Sequence, residues 1–280
     1  MSTAAHPSKR AFSSDPVGKE LLAQARAAGV IARFTVLEAW RSRWLLASLV
    51  AIAVVAGASL FARELALVER AALTLAVAAP LLRLTAVFLV AVFATVLVVR
   101  ELGDRTIELL IGAPVARSTW VLGKWAGLAV IAVVTATLAA VPLIWFASPA
   151  ALAGWWATLV AELVLVCGFA LLISISFAQV AVSILAMTAF YLLSRMIGVV
   201  LLLQKNLPLE VPGALDAIGG GLIRALDLSL PRLDLFARTA WLLEGGAPAT
   251  SALWACATQF LLYGVLLAVV GCLDFGRRHV

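Results

Sequence analysis

Two ionisable residues lie deep inside long apolar runs of this sequence, where charges are rare. Glu162 occurs within the run 155–177, and Arg195 occurs within the run 180–203. A charge at the centre of a membrane costs about 3 kcal/mol or more, so each side chain should face protein, water or a partner. If the two runs form a helical hairpin that turns at residues 178–179, each residue lies 16 positions from the turn. We therefore predict an ion pair between Glu162 and Arg195.

This predicted pair has two interpretations. It either holds helices together, with Arg195 reaching towards the outer interface, or it lines a translocation route. Other chemistry is poorly supported. The two histidines, His6 and His279, lie in opposite tails, and the sequence contains no phosphate-binding loop and no nucleophile elbow. We predict no catalytic residue, no metal site and no nucleic-acid partner.

A second group of charged residues lies between two apolar runs, in residues 100–124. Its members are Glu101, Asp104, Arg105, Glu108, Arg117 and Lys124. Asp104 can cap a short helix, and Gly112 with Pro114 would end it. Apolar residues follow at helical spacing, giving one stripe: Ile107, Leu110 and Ile111. Positive charge at a span end needs no partner, but an apolar stripe on an exposed loop suits the groove of a soluble protein.

The elements that position these residues are long apolar helices. The chain has 280 residues, of which 64% are hydrophobic and 13% charged, and its mean hydropathy is +1.09. Such a composition indicates a polytopic membrane protein. Since about 20 apolar residues cross the hydrocarbon core, we predict an all-α protein with six transmembrane helices. The six runs are 44–61, 81–99, 120–146, 155–177, 180–203 and 253–273.

The distribution of Lys and Arg predicts the orientation. With both termini in the cytoplasm, the cytoplasmic side holds thirteen of these residues and the other side holds seven, including Arg83. This asymmetry follows the positive-inside rule. We therefore expect a multi-pass protein of the cell inner (plasma) membrane, with residues 100–119 as a cytoplasmic loop and residues 204–250 as an extracytoplasmic loop.

Three further segments lie outside the spans. Residues 1–16 should form a disordered tail. Residues 17–43 are typical of an amphipathic helix in the membrane interface, with an apolar stripe formed by Val30, Phe34, Leu37 and Trp44. The alternative is a solvated helix that leads into the first span. Pro80 should mark the N-terminal edge of the second span. Within residues 204–250 we predict two short helices, over residues 214–228 and 232–243, that lie on the outer leaflet or re-enter it. The alternative is an exposed cap that binds an extracytoplasmic partner protein.

The same loop contains a pattern of residues that is found in a known protein family. The residues of the pattern are Glu101, Gly103, Thr106, Ile107, Glu108, Leu109, Leu110, Pro114, Val115, Arg117, Gly123 and Lys124. This pattern resembles the cytoplasmic loop of the permease subunits of type-2 ABC transporters. The resemblance implies that the loop holds a coupling helix that contacts an ATPase subunit. The residues expected at this contact are Glu101, Asp104, Arg105, Ile107, Glu108, Leu110, Ile111 and Arg117. In its compact size and its long loop between the fifth and sixth spans, the chain is similar to the permeases that take part in maturation of copper-containing nitrous oxide reductase.

The resemblance further implies a homodimer of permeases in the lipid bilayer with two copies of a cytoplasmic ATPase. ATP and Mg would be bound by the ATPase, leaving this chain without a cofactor, and transport would run towards export. Two other classes remain open. One is a secondary transporter driven by an ion gradient, with Glu162 as proton carrier. The other is a membrane scaffold that recruits a cytoplasmic partner. The substrate does not follow from the sequence.

Overall fold

The computed structural model of the protein describes residues 16–64, 70–103, 116–206 and 230–277. All regular structure in these ranges is helical. The helices are α1 (Pro16–Arg41), α2 (Trp44–Glu64), α3 (Arg70–Gly103), α4 (Arg117–Ala140), α5 (Pro149–Phe177), α6 (Val180–Asn206), α7 (Ala240–Glu244) and α8 (Thr250–Arg277), with a 3-10 turn at Val141–Leu143. In the described ranges, six helices are long and apolar enough to cross a membrane: α2, α3, α4, α5, α6 and α8. This confirms the all-α prediction and indicates a multi-pass membrane protein.

The six long helices differ in how deeply they are buried. In the most apolar part of α3 and of α5, 67% of residues are buried within the protein, and in α4 50% are. The corresponding fractions are 17% for α2, 28% for α6 and 22% for α8. Because lipid is as apolar as a protein core, a membrane helix can expose its hydrophobic side chains without cost. Helices α3, α4 and α5 therefore form the core, and the other three surround it.

The second span begins earlier than predicted. Helix α3 starts at Arg70, and Pro80 lies inside it rather than at its edge. A proline in a helix removes one backbone hydrogen bond, but membrane helices tolerate this where neighbouring helices compensate. The turns before Pro80 are packed against such neighbours, since Leu75, Ala78 and Ala79 are all buried. Packing on both sides of Pro80 therefore keeps the helix continuous.

Two further helix ends lie six residues away from the ends of the predicted apolar runs. The third run was predicted to continue to residue 146, but α4 ends at Ala140 because Pro142 follows in a 3-10 turn. The fourth run was predicted to begin at residue 155, but α5 begins at Pro149, where the Ser148 hydroxyl accepts from the Ala151 amide. A serine cap followed by proline at the first position is a typical helix start. The predicted turn at residues 178–179 is present, with Ala178 in the left-handed conformation (φ 50°).

Helix α1 packs along α4 through two glycines. A Cβ on Gly123 would lie 2.8 Å from the carbonyl oxygen of Ala28, and one on Gly127 would lie 2.8 Å from that of Ala32. Small residues at this spacing let two helix backbones approach closely. The apolar stripe that predicted an interfacial helix lies on another face of α1, where Phe34 is 67% exposed. The predicted tail falls outside the described residues except for Pro16.

The segment between the fifth and sixth spans enters the bundle. Of the extracytoplasmic loop predicted here, residues 207–229 lie outside the described residues, and so does the helix predicted over residues 214–228. Residues 230–239 form successive turns, so the helix predicted over residues 232–243 is wrong except for residues 240–243, which belong to α7. The carbonyl of Leu235 accepts from Cys256 Sγ and that of Phe236 from Arg83. Carbonyls bonded to other elements are diverted from helical hydrogen bonding.

Candidate functional site

An ion cluster is buried where α3, α5 and α6 meet. Arg83 of α3 donates from Nη1 to Glu162 Oε2 of α5 at 2.8 Å, and both side chains are fully buried. From Nη2 Arg83 donates to Thr158 Oγ1 at 3.0 Å and to the carbonyl oxygen of Trp155 at 3.1 Å. Its guanidinium also lies 5.2 Å from the centroid of the Trp155 ring. A guanidinium is well suited to this role, because its several donors can be satisfied at once.

The other carboxylate oxygen of Glu162 is bonded from α6. Tyr191 donates its hydroxyl to Glu162 Oε1 at 3.0 Å, and Arg195 Nη1 lies 3.4 Å from the same oxygen. Arg195 also donates to the Tyr191 hydroxyl at 3.1 Å. Its side chain is 25% exposed, unlike that of Arg83. The predicted contact between Glu162 and Arg195 is therefore present, but the shorter and more deeply buried contact is with Arg83.

The segment 230–239 closes one side of the cluster. Arg83 Nη1 donates to the carbonyl oxygen of Phe236 at 2.7 Å, and the Phe236 side chain is fully buried. Nearby, Asp234 lies against the backbone of Gly198, where a Cβ would come within 2.3 Å of Asp234 Oδ2. Gly198 follows Arg195 by one helical turn, so a second carboxylate lies on the same face of α6. The cluster thus ties three helices to this segment.

Sequence reasoning found Glu162 and Arg195 but missed Arg83 and Tyr191. Arg83 was counted among the seven positive residues of the outer side because the second span was predicted to begin at Leu81. Helix α3 begins 13 residues before Arg83, a rise of about 20 Å, so Arg83 lies well inside the helix. The apolar residues preceding Pro80 were the signal that could have revealed this. Tyr191 carried no such signal, because a tyrosine in an apolar run is unremarkable.

The chemistry available to this cluster is electrostatic rather than covalent. One carboxylate is bound by two guanidinium groups, so these three groups carry a net positive charge. The described residues contain no group of three or more His, Cys, Asp or Glu side chains that could hold a metal ion. A buried ion cluster shared by several helices holds one particular packing of those helices, since separating the charges in a low-dielectric interior is costly. Such a cluster can therefore distinguish two arrangements of the bundle.

A second ion pair lies at the base of the loop between α3 and α4. Lys124 of α4 donates to Glu101 of α3, and the two side chains are 1% and 24% exposed. Glu38 of α1 lies close to this pair, and its partial burial raises the pKa of its carboxyl group. The Lys124 ammonium lowers the pKa of Glu38, whereas the negative charge of Glu101 raises it further. The charges of α1, α3 and α4 therefore meet at one junction.

The loop itself is only partly described. Of the predicted contact residues, Asp104, Arg105, Ile107, Glu108, Leu110 and Ile111 lie outside the described residues. Glu101 lies near the end of α3 and Arg117 is the first residue of α4. Because Glu101 and Lys124 are paired, the two helices that flank the loop are joined directly next to it. The chain matches no protein-family model, and no curated protein matches it either.

Proposed function

We propose that this chain is the permease subunit of a type-2 ABC transporter in the inner (plasma) membrane. Two copies would form the transmembrane pathway, and two cytoplasmic ATPase subunits would bind ATP and Mg and drive export. The observation that carries this proposal is the residue pattern from Glu101 to Lys124, placed between the second and third of six apolar helices. Both termini and this loop would face the cytoplasm, in agreement with the excess of Lys and Arg there.

The packing around the loop supports a role in force transmission. The Glu101–Lys124 pair joins α3 to α4, and Gly123 and Gly127 bring α1 against α4. A displacement of the loop by an ATPase would therefore move three helices together. Two of them, α3 and α4, belong to the core, and α3 carries Arg83 of the buried ion cluster. ATP binding could then shift the bundle between two packings, each favoured by a different nucleotide state.

The proposal is tested by affinity purification from the native membrane. We expect a stoichiometric soluble subunit with a phosphate-loop motif to co-purify with the chain. Ile107→Glu or Leu110→Glu places a charge in the apolar stripe and should reduce that co-purification by about tenfold or more, while membrane insertion is unchanged. Ser118→Glu is a matched control, since it adds the same charge in the first turn of α4, where a negative charge is favourable.

The outcome also separates the other two classes. Absence of an ATPase under conditions that preserve other ABC complexes would overturn the proposal and favour gradient-driven transport. The full burial of Glu162 is the observation that favours this second candidate. A partner that co-purifies but hydrolyses no ATP would instead indicate a scaffold. Normal ATPase binding by both charged variants would show that the stripe is not the docking surface.

A further inference from the structure

A groove of about 800 Å³ lies between the C-terminal end of α1, the start of α2 and the second half of α3. One end is lined by charged side chains, those of Glu38, Arg43 and Arg100. The remaining length is mainly apolar, with side chains such as Leu84, Phe88 and Val92. The cluster residues Arg83, Glu162, Tyr191 and Arg195 do not line this groove.

The charged end of the groove lies at the end of the membrane-spanning helices. Arg43 immediately precedes α2, and Arg100 is three residues from the last residue of α3. From Arg100 to Leu84, α3 rises about 24 Å. One leaflet contributes about 15 Å of hydrocarbon, half of the bilayer core. The groove therefore extends from the level of the lipid headgroups into the hydrocarbon.

Arg43 occupies an unusual backbone conformation at the mouth of this groove. Its φ angle is +57°, in the left-handed region, where residues other than Gly, Asn or Asp are uncommon. Gly or Asn would make the same turn between α1 and α2 with less strain. An arginine in a strained conformation points to a use for its side chain.

From these observations we infer that the groove binds an anionic phospholipid of the leaflet on the N-terminal side of α2. The phosphate lies between Arg43 and Arg100, and an acyl chain lies along the apolar wall formed by α3. Two guanidinium groups against the one carboxylate of Glu38 give the mouth of the groove a net positive charge, which complements a phosphate. The apolar walls match the chain.

A second copy of the protein is the other occupant to consider. An isologous dimer would pack the same surface of both copies against each other. The Arg43 and Arg100 pairs of the two copies would then approach one another, and like charges brought out of water repel. The charge distribution therefore favours a lipid over a second copy in this groove.

Native mass spectrometry of the full-length, delipidated protein in detergent tests the inference. Dioleoyl-phosphatidylglycerol is the probe, and phosphatidylcholine with the same chains is the neutral comparison. Arg43→Asn removes the positive charge, and asparagine tolerates the left-handed backbone conformation at this position. Arg43→Lys retains the positive charge. Arg41→Gln is the matched control, because Arg41 is exposed at the end of α1 but does not line the groove. Val92→Trp places a larger side chain on the apolar wall and so narrows the groove.

Arg43→Asn and Arg100→Gln should each lower phosphatidylglycerol binding about fivefold, which corresponds to about 1 kcal/mol. Arg43→Lys and Arg41→Gln should bind as the unmodified protein does, and Val92→Trp should bind less of both lipids. If Arg41→Gln lowered phosphatidylglycerol binding as much as Arg43→Asn does, the lipid would be attracted by surface charge in general, and the inference would be overturned. Equal binding of phosphatidylcholine and phosphatidylglycerol by the unmodified protein would overturn it as well. If Val92→Trp leaves lipid binding intact but converts a dimer into monomers, the groove is an interface between copies.

Discussion

The two arginines that contact Glu162 differ in burial and should differ in their effect on stability. Replacing Arg83 by Gln leaves a fully buried carboxylate without its closest partner, and breaking such a pair costs about 3–5 kcal/mol. Replacing Arg195 by Gln removes a longer contact of 3.4 Å from a side chain that is 25% exposed, so we expect a loss of about 1 kcal/mol or less. Chemical unfolding in detergent measures both free energies.

A double-mutant cycle separates the pair from the rest of the cluster. Arg83→Gln combined with Glu162→Gln should lose less stability than the sum of the two single losses, by about 1–3 kcal/mol, because neither neutral side chain leaves a buried charge behind. Additive effects would show that Arg83 is held mainly by Phe236 and Thr158 instead. If Arg195→Gln and Arg83→Gln lowered the free energy of unfolding equally, the expectation that the more buried arginine contributes more to stability would be contradicted.

At the residue scale, what could be predicted depended on hydropathy. Glu162 and Arg195 interrupt long apolar runs, so their cost in a membrane identified them directly. Arg83 lies close to a proline and to the predicted beginning of a run, so its position depended on where the helix starts. That start is decided by tertiary packing of Leu75, Ala78 and Ala79, which a single sequence does not display. The carbonyl of Phe236 reaches Arg83 across 153 residues, and no local pattern encodes this contact.

At the element scale, the contact between α1 and α4 depends on the absence of a side chain at Gly127. Gly127→Ala would place a Cβ 2.7 Å from Thr35 Cβ and 2.8 Å from the Ala32 carbonyl oxygen, so α1 must shift away. We expect a loss of about 1–3 kcal/mol in the free energy of unfolding, as for other overpacked contacts. Thermal unfolding in detergent and protease cleavage within α1 would both report the change.

Gly29→Ala is the matched control for this element, because it introduces the same methyl group on α1. A Cβ at Gly29 would meet nothing within 4 Å. Alanine favours a helix over glycine by about 1 kcal/mol, so this variant should be as stable as the original protein or more so. If Gly127→Ala were equally well tolerated, α1 would not be tightly packed on α4.

Helices were easier to predict than their ends. Six apolar runs became six long helices because length and hydropathy decide whether a helix can cross a membrane. Their ends depend on local chemistry: Ser148 and Pro149 start α5 earlier than its apolar run, and Pro142 follows the end of α4. The amphipathic stripe was predicted from Val30, Phe34, Leu37 and Trp44. The first three are exposed on α1, whereas Trp44, the first residue of α2, is buried. The face that packs on α4 includes the small residues Ala28, Ala32 and Thr35, which hydropathy does not distinguish.

At the scale of the whole molecule, the buried core and the exposed helices form two parts with different surroundings. Helices α3, α4 and α5 contain the ion cluster and flank the loop, so a movement of the loop reaches the cluster through α3. Helices α2, α6 and α8 expose most of their apolar surface, which lipid or a second copy can cover. If the chain is a permease, the junction of Glu101, Lys124 and Glu38 is where force from outside the membrane would enter the core.

The pair of Glu101 and Lys124 therefore provides a test of coupling in the proposed complex. Glu101→Lys and Lys124→Glu each replace the ion pair between positions 101 and 124 by two like charges and should reduce ATP hydrolysis by the reconstituted complex by about fivefold or more. Co-purification of the ATPase should persist, because the stripe of Ile107 and Leu110 is unchanged. Exchanging both charges restores an ion pair in the same place.

The exchanged variant, with Glu101→Lys and Lys124→Glu together, should recover hydrolysis to within about twofold of the unmodified complex, since a pair contributes through its mutual contact. The result distinguishes two roles for Glu101. If Glu101 acts by joining α3 to α4, the exchange rescues the single variants. If Glu101 instead contacts the ATPase directly, Glu101→Lys alone weakens co-purification and the exchange cannot restore it, because the partner surface still faces a lysine.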